Sequence, residues 1–399
     1  MNIKAKSLIK YLSKFFPAVY TLILIITFQS CEEDPNDLGI GFIPTVDTTG
    51  VRFLDSQTDT MAITSNNYKQ FLNDFGAQNI LVGNYQNYES KALLRFKGIN
   101  VNYDSSNVIS ASLSLRYSNY YFKDKSGSTV FDMYRLNTNF NYRTITYDSV
   151  SSSSYGNTSV GSFSGVVPDS STISFPMDNQ TIKDWLEYAA DTNYAVKNYG
   201  LMMLPSVSSN TIRGFYLFND NIAYIPTITV ILSKNGDIDT ITLNSSESVS
   251  ISNAPFSIIP NDRFLLQNGI AYRNILNFDL SKLPANVIIN NATLLFTIDN
   301  SNSFVSSATD KRILIGTVID SVAKIDSIFF EASLLDTIIY SVSLNSMFQR
   351  WNSGNLPNLG ITMKNNSEIE NLDNFAIYSP AAADITKRPR LKITYTKRN

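Results

Sequence analysis

The chain has 399 residues, 32 basic and 34 acidic side chains, and a formal charge of −2 at pH 7. It lacks the excess of basic residues with which proteins bind nucleic-acid phosphates. Because it contains no histidine and only one cysteine, Cys31, it cannot form serine–histidine or cysteine–histidine catalytic pairs, an intramolecular disulfide or a cysteine metal site.

Residues 1–30 have the pattern of a secretory signal peptide. Four lysines precede the apolar run FFPAVYTLILIITF, which is shorter than the roughly 20 residues that a membrane-spanning helix needs. Cys31 follows after Gln29 and Ser30, and its placement resembles the lipobox of bacterial lipoproteins, in which the cysteine becomes the lipidated first residue. We therefore expect lipidation of Cys31. The alternative is an uncleaved N-terminal anchor with an incidental cysteine.

Residues 31–44 form an acidic segment with no packing pattern, which is typical of a solvated tether. Its first acids, Glu32, Glu33 and Asp34, resemble the tract that exports Bacteroidota lipoproteins to the outer face of the outer membrane. The resemblance implies a lipid-anchored protein that faces the cell exterior; the alternative is an ordinary hydrophilic spacer. Loss of residues 1–30 removes four lysines and no acids, which takes the formal charge from −2 to −6.

The sequence pattern of the rest of the chain predicts short strands. Alternating segments such as ASLSLRYS, TVFDMYRL, NATLLFTID and RLKITYT are separated by clusters of Asn, Ser, Asp and Gly, the residues of turns. Only QTIKDWLEYAA (180–190) and SLNSMFQRW (343–351) have helical spacing of apolar residues. This pattern predicts an all-β protein built from antiparallel sandwiches or jelly rolls.

An internal repeat divides these strands into two sets. The segment KALLRF (91–96) resembles RNILNF (273–278). In both halves a tryptophan on a predicted short helix is followed along the chain by an Asn-x-Gly turn, in NYGLMML and in NLGITM. The repeat predicts two tandem β-sandwich domains, each with one short helix. We place the first at residues 45–235 and the second at 236–399.

The order of these motifs resembles the DNRLRE-type jelly-roll modules of bacterial surface proteins, some of which bind polysaccharide. The resemblance covers nearly the whole mature chain in two copies, although the middle of the second copy, ILIGTVIDSVAKIDSIFFEAS, departs from the pattern. Together with the lipobox, the acidic tether and DLGIGFIP, it resembles a family of Bacteroidota surface lipoproteins of unknown function. Similarity of fold does not carry an activity with it.

No catalytic motif is visible, and we expect neither enzymatic activity nor a cofactor or metal. Calcium-loop, P-loop and G-x-S-x-G patterns are absent from the sequence. Acid pairs that could serve a glycosidase exist, but a solvated surface explains them more simply. These pairs are Asp237 with Asp239, Asp320 with Asp326, and Asp184 with Glu187.

Aromatic residues are the candidates for binding, because flat rings stack on sugars and bury area at low entropic cost. The two tryptophans, Trp185 and Trp351, occupy equivalent positions in the repeat, which favours a shared role in the core. Two tyrosine clusters have no counterpart in the second copy, and strand alternation leaves one of Tyr120 and Tyr121 facing outward. The candidate contact surface comprises Tyr85, Tyr88, Tyr120 and Tyr121, and the β-propensity of tyrosine is the rival explanation.

Two functions remain open at this stage. The first is a non-catalytic scaffold or accessory subunit that binds an outer-membrane protein complex for assembly, export or uptake. The second is a surface lipoprotein that binds polysaccharide. A broad exposed apolar patch would favour a protein partner, whereas a groove lined by tyrosine with Asn and Asp would favour a sugar.

Overall fold

A computed structural model describes residues 50–217, 224–255, 260, 262–307, 309–320 and 325–397. The chain divides into two units, Met1–Arg52 and Phe53–Asn399, and only residues 50–52 of the first unit are described. The predicted signal peptide and tether therefore lie outside the described residues. The second unit is one compact body that contains the first predicted domain from residue 53 onward and the whole of the second.

Within the described residues, two α-helices accompany the strands and match the two segments predicted to be helical: α1 (Asn179–Ala190) and α2 (Asn345–Asn352). The strands are, in chain order, β1 (Val51–Asp55), β2 (Ile63–Lys69), β3 (Asn79–Tyr85), β4 (Tyr88–Phe96), β5 (Asn107–Phe122), β6 (Thr129–Leu136), β7 (Tyr155–Gly165), β8 (Thr172–Pro176), β9 (Leu201–Pro205), β10 (Thr211–Tyr216), β11 (Thr227–Lys234), β12 (Asp237–Asn253), β13 (Arg263–Gln267), β14 (Tyr272–Phe278), β15 (Ile288–Thr297), β16 (Ile313–Val318), β17 (Ile325–Leu334), β18 (Ile339–Ser343), β19 (Ile361–Asn365), β20 (Asn374–Tyr378) and β21 (Arg390–Thr396).

The prediction of an all-β sandwich protein is confirmed. The strands form two antiparallel sheet systems, each folded around its own apolar core. The period-two pattern explains the packing: in β5, Ala111, Leu113, Leu115 and Tyr117 are buried, whereas the residues between them are more exposed. We call β3–β12 the first sandwich, and β13–β21 with β1 and β2 the second sandwich.

The N-terminal strands complete the second sandwich. β2 pairs with β14 in antiparallel register, with Ile63 opposite Phe278 and Lys69 opposite Tyr272. In the first sandwich the same edge is covered by the second half of β12, where Ser245 lies opposite Phe96 and Asn253 opposite Glu89. The sheets therefore do not divide at residue 236, and the domain boundaries predicted from the repeat stay a prediction.

The repeated motifs have the same structural role in both sandwiches. The side-chain amides of Asn198 and Asn358 donate to the carbonyls of Phe96 and Phe278, at 2.8 and 2.9 Å. The rings of Trp185 and Phe96 are 6.1 Å apart, and those of Trp351 and Phe278 are 6.2 Å apart. Both tryptophans are buried, so the expected core role is confirmed.

A third apolar core joins the two sandwiches. It is formed by outward-facing side chains of β3, β4, β5 and β10 packed against β13, β14 and β20. Each large apolar side chain that is fully buried contributes roughly 1.5–3 kcal/mol, so this core holds the sandwiches together firmly. Its buried members are Leu81, Tyr88, Tyr120, Phe122, Ile212, Ala254, Leu265, Ile270, Tyr272, Leu372 and Ala376.

The closure of the second sandwich by β2 can be tested with an engineered disulfide. Asn67 and Asn274 lie opposite each other, and their side chains are hydrogen-bonded at 2.8 Å. In the double variant Asn67→Cys/Asn274→Cys we expect a disulfide that shifts migration on a non-reducing gel. Since the bond closes a loop of about 200 residues, the oxidised form should be more stable to urea than the reduced form by about 3–5 kcal/mol. The variants Asn67→Cys and Asn274→Cys, each with one added cysteine, are the controls, and absence of the crosslink would contradict the pairing.

The Asn-x-Gly turn provides a second test. Gly200 has φ +96°, and a Cβ placed there would lie 2.3 Å from the carbonyl oxygen of Leu94. Gly236 has a similar φ of +93° but open space around it. Gly236→Ala should cost about 1–2 kcal/mol for the left-handed backbone alone, and Gly200→Ala should cost more because the strand must also move. Equal losses in urea unfolding would contradict this description of the turn.

Candidate functional site

A polar cleft of about 460 Å³ lies where the two sandwiches meet. One wall comes from the start of β3 and the end of β5, and the other from the loops before β16 and before β20. Because β3 and β5 pair with β10 in one sheet, the first wall is held by strand geometry. We call this site the inter-sandwich cleft; it is lined by Gln78, Asn79, Ser118, Asn119, Tyr120, Tyr121, Ser306, Ser307, Ser367, Glu370 and Asn371.

Tyr120 connects the two walls beneath the cleft. It is only 8% exposed, its hydroxyl donates to Asp373 at 3.0 Å, and it accepts from the backbone N–H of Leu372 at 2.9 Å. Burial raises the pKa of Tyr120 well above its ordinary value, and the neighbouring Asp373 carboxylate adds to the effect. Burial likewise raises the pKa of Asp373, against hydrogen bonds from Thr309, Ser306 and Tyr120 that lower it.

Tyr88 is also enclosed between the sandwiches. It is 7% exposed, its hydroxyl donates to Gln267 at 3.2 Å, and its ring meets the edge of Phe122 at 4.7 Å. Burial raises the pKa of Tyr88. The expectation of an exposed contact surface is therefore wrong for Tyr88 and Tyr120, because their outward-facing side of the sheet is covered by the second sandwich.

Tyr121 and Tyr85 are half-buried. Tyr85 packs against the core between the sandwiches. Tyr121 lines the inter-sandwich cleft, its ring lies 6.1 Å from that of Phe304, and its hydroxyl makes no hydrogen bond within the described part of the chain. A contact role for these two tyrosines stays a prediction.

Glu370 supplies the carboxylate of the cleft. One of its oxygens accepts from the backbone N–H of Gln78 at 2.9 Å, which links the two walls. Among the residues that the structure describes, Glu370 forms no ion pair, whereas nearby Glu368 binds Arg273 through two hydrogen bonds of 2.8 and 2.6 Å. Glu370 therefore has a hydrogen bond but no counter-charge.

Asp74 lies behind the cleft, in the connection between β2 and β3 that crosses from one sandwich to the other. It is 2% exposed, and its Oδ1 has no hydrogen-bond partner among the described residues. Burial, followed by the charges of Glu370 and Glu368, raises the pKa of Asp74 well above its ordinary value. This carboxyl group therefore favours the neutral form in the folded protein.

An exposed apolar segment lies elsewhere in the second sandwich. Four large apolar side chains within residues 328–335 are exposed, and Ile328 and Leu335 are the most open at 56% and 66%. They belong to β17 and the turn after it, in the part of the second copy that departs from the repeat. We call this segment the apolar strip; it comprises Ile328, Phe329, Leu334 and Leu335.

Two of the acids in the pairs noted in the sequence form ion pairs. Asp184 binds Arg135 at 2.7 Å, and Asp326 binds Arg350 at 3.2 Å. Within the described ranges, no group of three or more acidic or cysteine side chains is placed to hold a metal ion. In the same ranges no helix has the length and apolar character that crossing a membrane requires.

The predicted lipidation site Cys31 and the tract Glu32, Glu33 and Asp34 lie outside the described residues. Sequence reasoning missed Glu370 and Gln78, because they are separated by almost 300 positions and no local motif marks either one. The apolar strip had a visible signal in SIFFEASLL, an apolar run in a poorly patterned segment. Comparison of the chain with protein-family models and with curated protein sequences finds no match.

The buried carboxyl group of Asp74 leads to a pH-dependent prediction. At low pH the Asp74 carboxyl group is neutral in the folded and in the unfolded chain, and its burial costs least. As pH rises from the ordinary aspartate range towards the raised folded-state pKa, the unfolded chain ionises first, so the free energy of unfolding falls. Asp74→Asn, which stays neutral, should therefore gain stability over the wild type as pH rises from 4 to 8. Urea unfolding at several pH values measures this, with exposed Asp237→Asn as the control. The prediction would be contradicted if the wild type became more stable relative to Asp74→Asn as pH rises.

Proposed function

We propose that the protein is a non-catalytic lipoprotein of the outer-membrane surface that acts as a scaffold or accessory subunit of an outer-membrane protein complex. The observation that carries this proposal is the apolar strip. Exposed apolar side chains concentrated on one short segment are typical of surfaces that bind another protein. A complex for assembly, export or uptake is the partner expected at this location.

The construction of the body supports a scaffold role. The second sandwich is completed by N-terminal strands, and a continuous apolar core joins it to the first sandwich. A body closed in this way presents its surfaces at fixed positions, and pre-ordering of this kind lowers the entropic cost of association. The scaffold proposal therefore does not require either sandwich to move.

The order of the predicted anchor and the second sandwich along the chain also supports the proposal. β2 belongs to the second sandwich, so the chain that leads from Cys31 enters the body there. The apolar strip belongs to the same sandwich. A lipid anchor at Cys31 would therefore connect to the sandwich that carries the strip.

The proposal predicts that changes in the strip reduce partner recovery. We expect the tagged full-length variant Ile328→Ser/Leu335→Ser to recover less partner than the wild type, by a factor of about ten or more. Two large apolar contacts contribute more binding free energy than the roughly 1.4 kcal/mol that corresponds to a tenfold change in affinity. The measurement is quantitative mass spectrometry after affinity purification from gently solubilised outer membranes. Val207→Ser/Ile238→Ser is the matched control, since both residues are exposed in the first sandwich. Recovery of the wild type without a stoichiometric partner would overturn the proposal.

Polysaccharide binding is the second candidate function. The observation that favours it is the inter-sandwich cleft, where Tyr121 lies among serine hydroxyls and asparagine side chains. Aromatic faces flanked by hydrogen-bonding groups suit a sugar ring. Binding of oligosaccharides to the full-length protein, abolished by Tyr121→Ala, would establish this function.

A further inference from the structure

The charges of the inter-sandwich cleft are one-sided. Glu370 is the one ionisable acid in its lining, and the lining contains no lysine or arginine. Two more carboxyl groups lie nearby, Asp373 beneath Tyr120 and Asp74 in the connection between β2 and β3, but burial raises the pKa of both, so the negative charge of the lining is assigned to Glu370 alone. A ligand that enters therefore meets negative charge and hydrogen-bonding groups without a positively charged side chain.

Two of the other acidic side chains between the sandwiches, Glu368 and Asp373, already have partners. Glu368 has Arg273, and Asp373 accepts hydrogen bonds from Tyr120, Thr309 and the backbone of Ser306. Glu370 accepts one backbone hydrogen bond and has no cation within the described residues. Its carboxylate remains able to accept a charge-assisted hydrogen bond from a bound group.

The charge of the ligand that suits the cleft follows from the free-energy cost of removing water from the Glu370 carboxylate. A neutral ligand would displace water from Glu370 without supplying an opposite charge, and desolvation of an unpaired carboxylate is unfavourable. A cationic ligand offsets that cost. The half-buried ring of Tyr121 belongs to the same lining; the Arg213 guanidinium already lies 5.9 Å from its centroid, and a second planar cation in the cleft would make the same kind of contact.

We infer that the inter-sandwich cleft binds a basic side chain of the protein partner, with arginine the best fit. A guanidinium group presents several N–H donors in a plane, so it can pair with the Glu370 carboxylate and stack on Tyr121. The inference rests on the proposed scaffold function and adds the chemistry of one contact. The apolar strip and the inter-sandwich cleft would then be two separate contact points for that partner.

The test uses full-length protein in detergent micelles and two small probes, arginine amide and citrulline amide. The side chain of citrulline has nearly the same shape as that of arginine but carries no charge, and both probes share the same α-ammonium group. Saturation-transfer NMR titrations measure weak binding of each probe. We expect arginine amide to bind and citrulline amide to bind at least about tenfold more weakly, since a charged hydrogen bond contributes more than a neutral one.

Variants assign the contact to Glu370. Glu370→Gln keeps the oxygen that accepts from Gln78, so the fold should persist, and it should weaken arginine amide binding at least about tenfold. The control is Glu331→Gln, which removes an exposed carboxylate on β17 and should leave binding unchanged. Circular dichroism and urea unfolding verify that both variants are folded.

Three results would overturn the inference: no binding of arginine amide, equal binding of the two probes, or full binding by Glu370→Gln. Binding of cellohexaose that is lost in Tyr121→Ala, without binding of arginine amide, would assign the cleft to a sugar instead. These results are distinct from failure of the scaffold function, which is judged by partner recovery with the wild type and the strip variants. A partner recovered normally while arginine amide fails to bind would refute the cleft contact alone.

Discussion

The pairing of β2 with β14 is the constraint on which the rest of this structure depends. An unpaired edge of β14 would expose backbone N–H and C=O groups, which a folded protein must satisfy. In the first sandwich the following strand, β12, covers the equivalent edge. In the second sandwich the N-terminal segment fills this place, through the pairing of β2 with β14. The N-terminal strand β2 thus belongs to the sandwich formed by the C-terminal half of the chain. The connection between β2 and β3 must therefore cross from the second sandwich to the first.

That crossing explains the chemistry between the sandwiches. The connection brings Asp74 beside Glu368 and Glu370, and Gln78 onto Glu370. The interface is apolar where β3, β4 and β5 meet β13, β14 and β20, and becomes polar towards the inter-sandwich cleft. Buried polar groups in such a place are stable only with partners, as the hydrogen bond between Tyr120 and Asp373 illustrates. The same geometry leaves the Glu370 carboxylate without a cation, which is why the cleft is suited to a positively charged group.

The sequence was informative wherever a feature is local or repeated. The period-two segments predicted the strands, and the equivalent tryptophans predicted the core around Trp185 and Trp351. The repeated Asn-x-Gly motif marked a turn in which the glycine allows close approach of a neighbouring strand, as Gly200 does for β4. The tyrosine clusters were harder, since alternation correctly separates the two faces of β5 but does not say what covers the outer one. Tyr88 and Tyr120 therefore looked available for a partner, although the partner is the second half of the same chain.

By itself, the sequence determined the all-β class, the two copies, the two short helices and the aromatic core, because each of these depends on periodicity within a few residues or on a comparison of two segments. Only the tertiary structure decided which sandwich receives β2, which aromatic faces are covered, and that Gln78 and Glu370 meet in one cleft. These outcomes depend on contacts between residues up to about 300 positions apart. Such contacts are set by packing and by the need to pair every strand edge, and neither requirement leaves a local pattern in the chain.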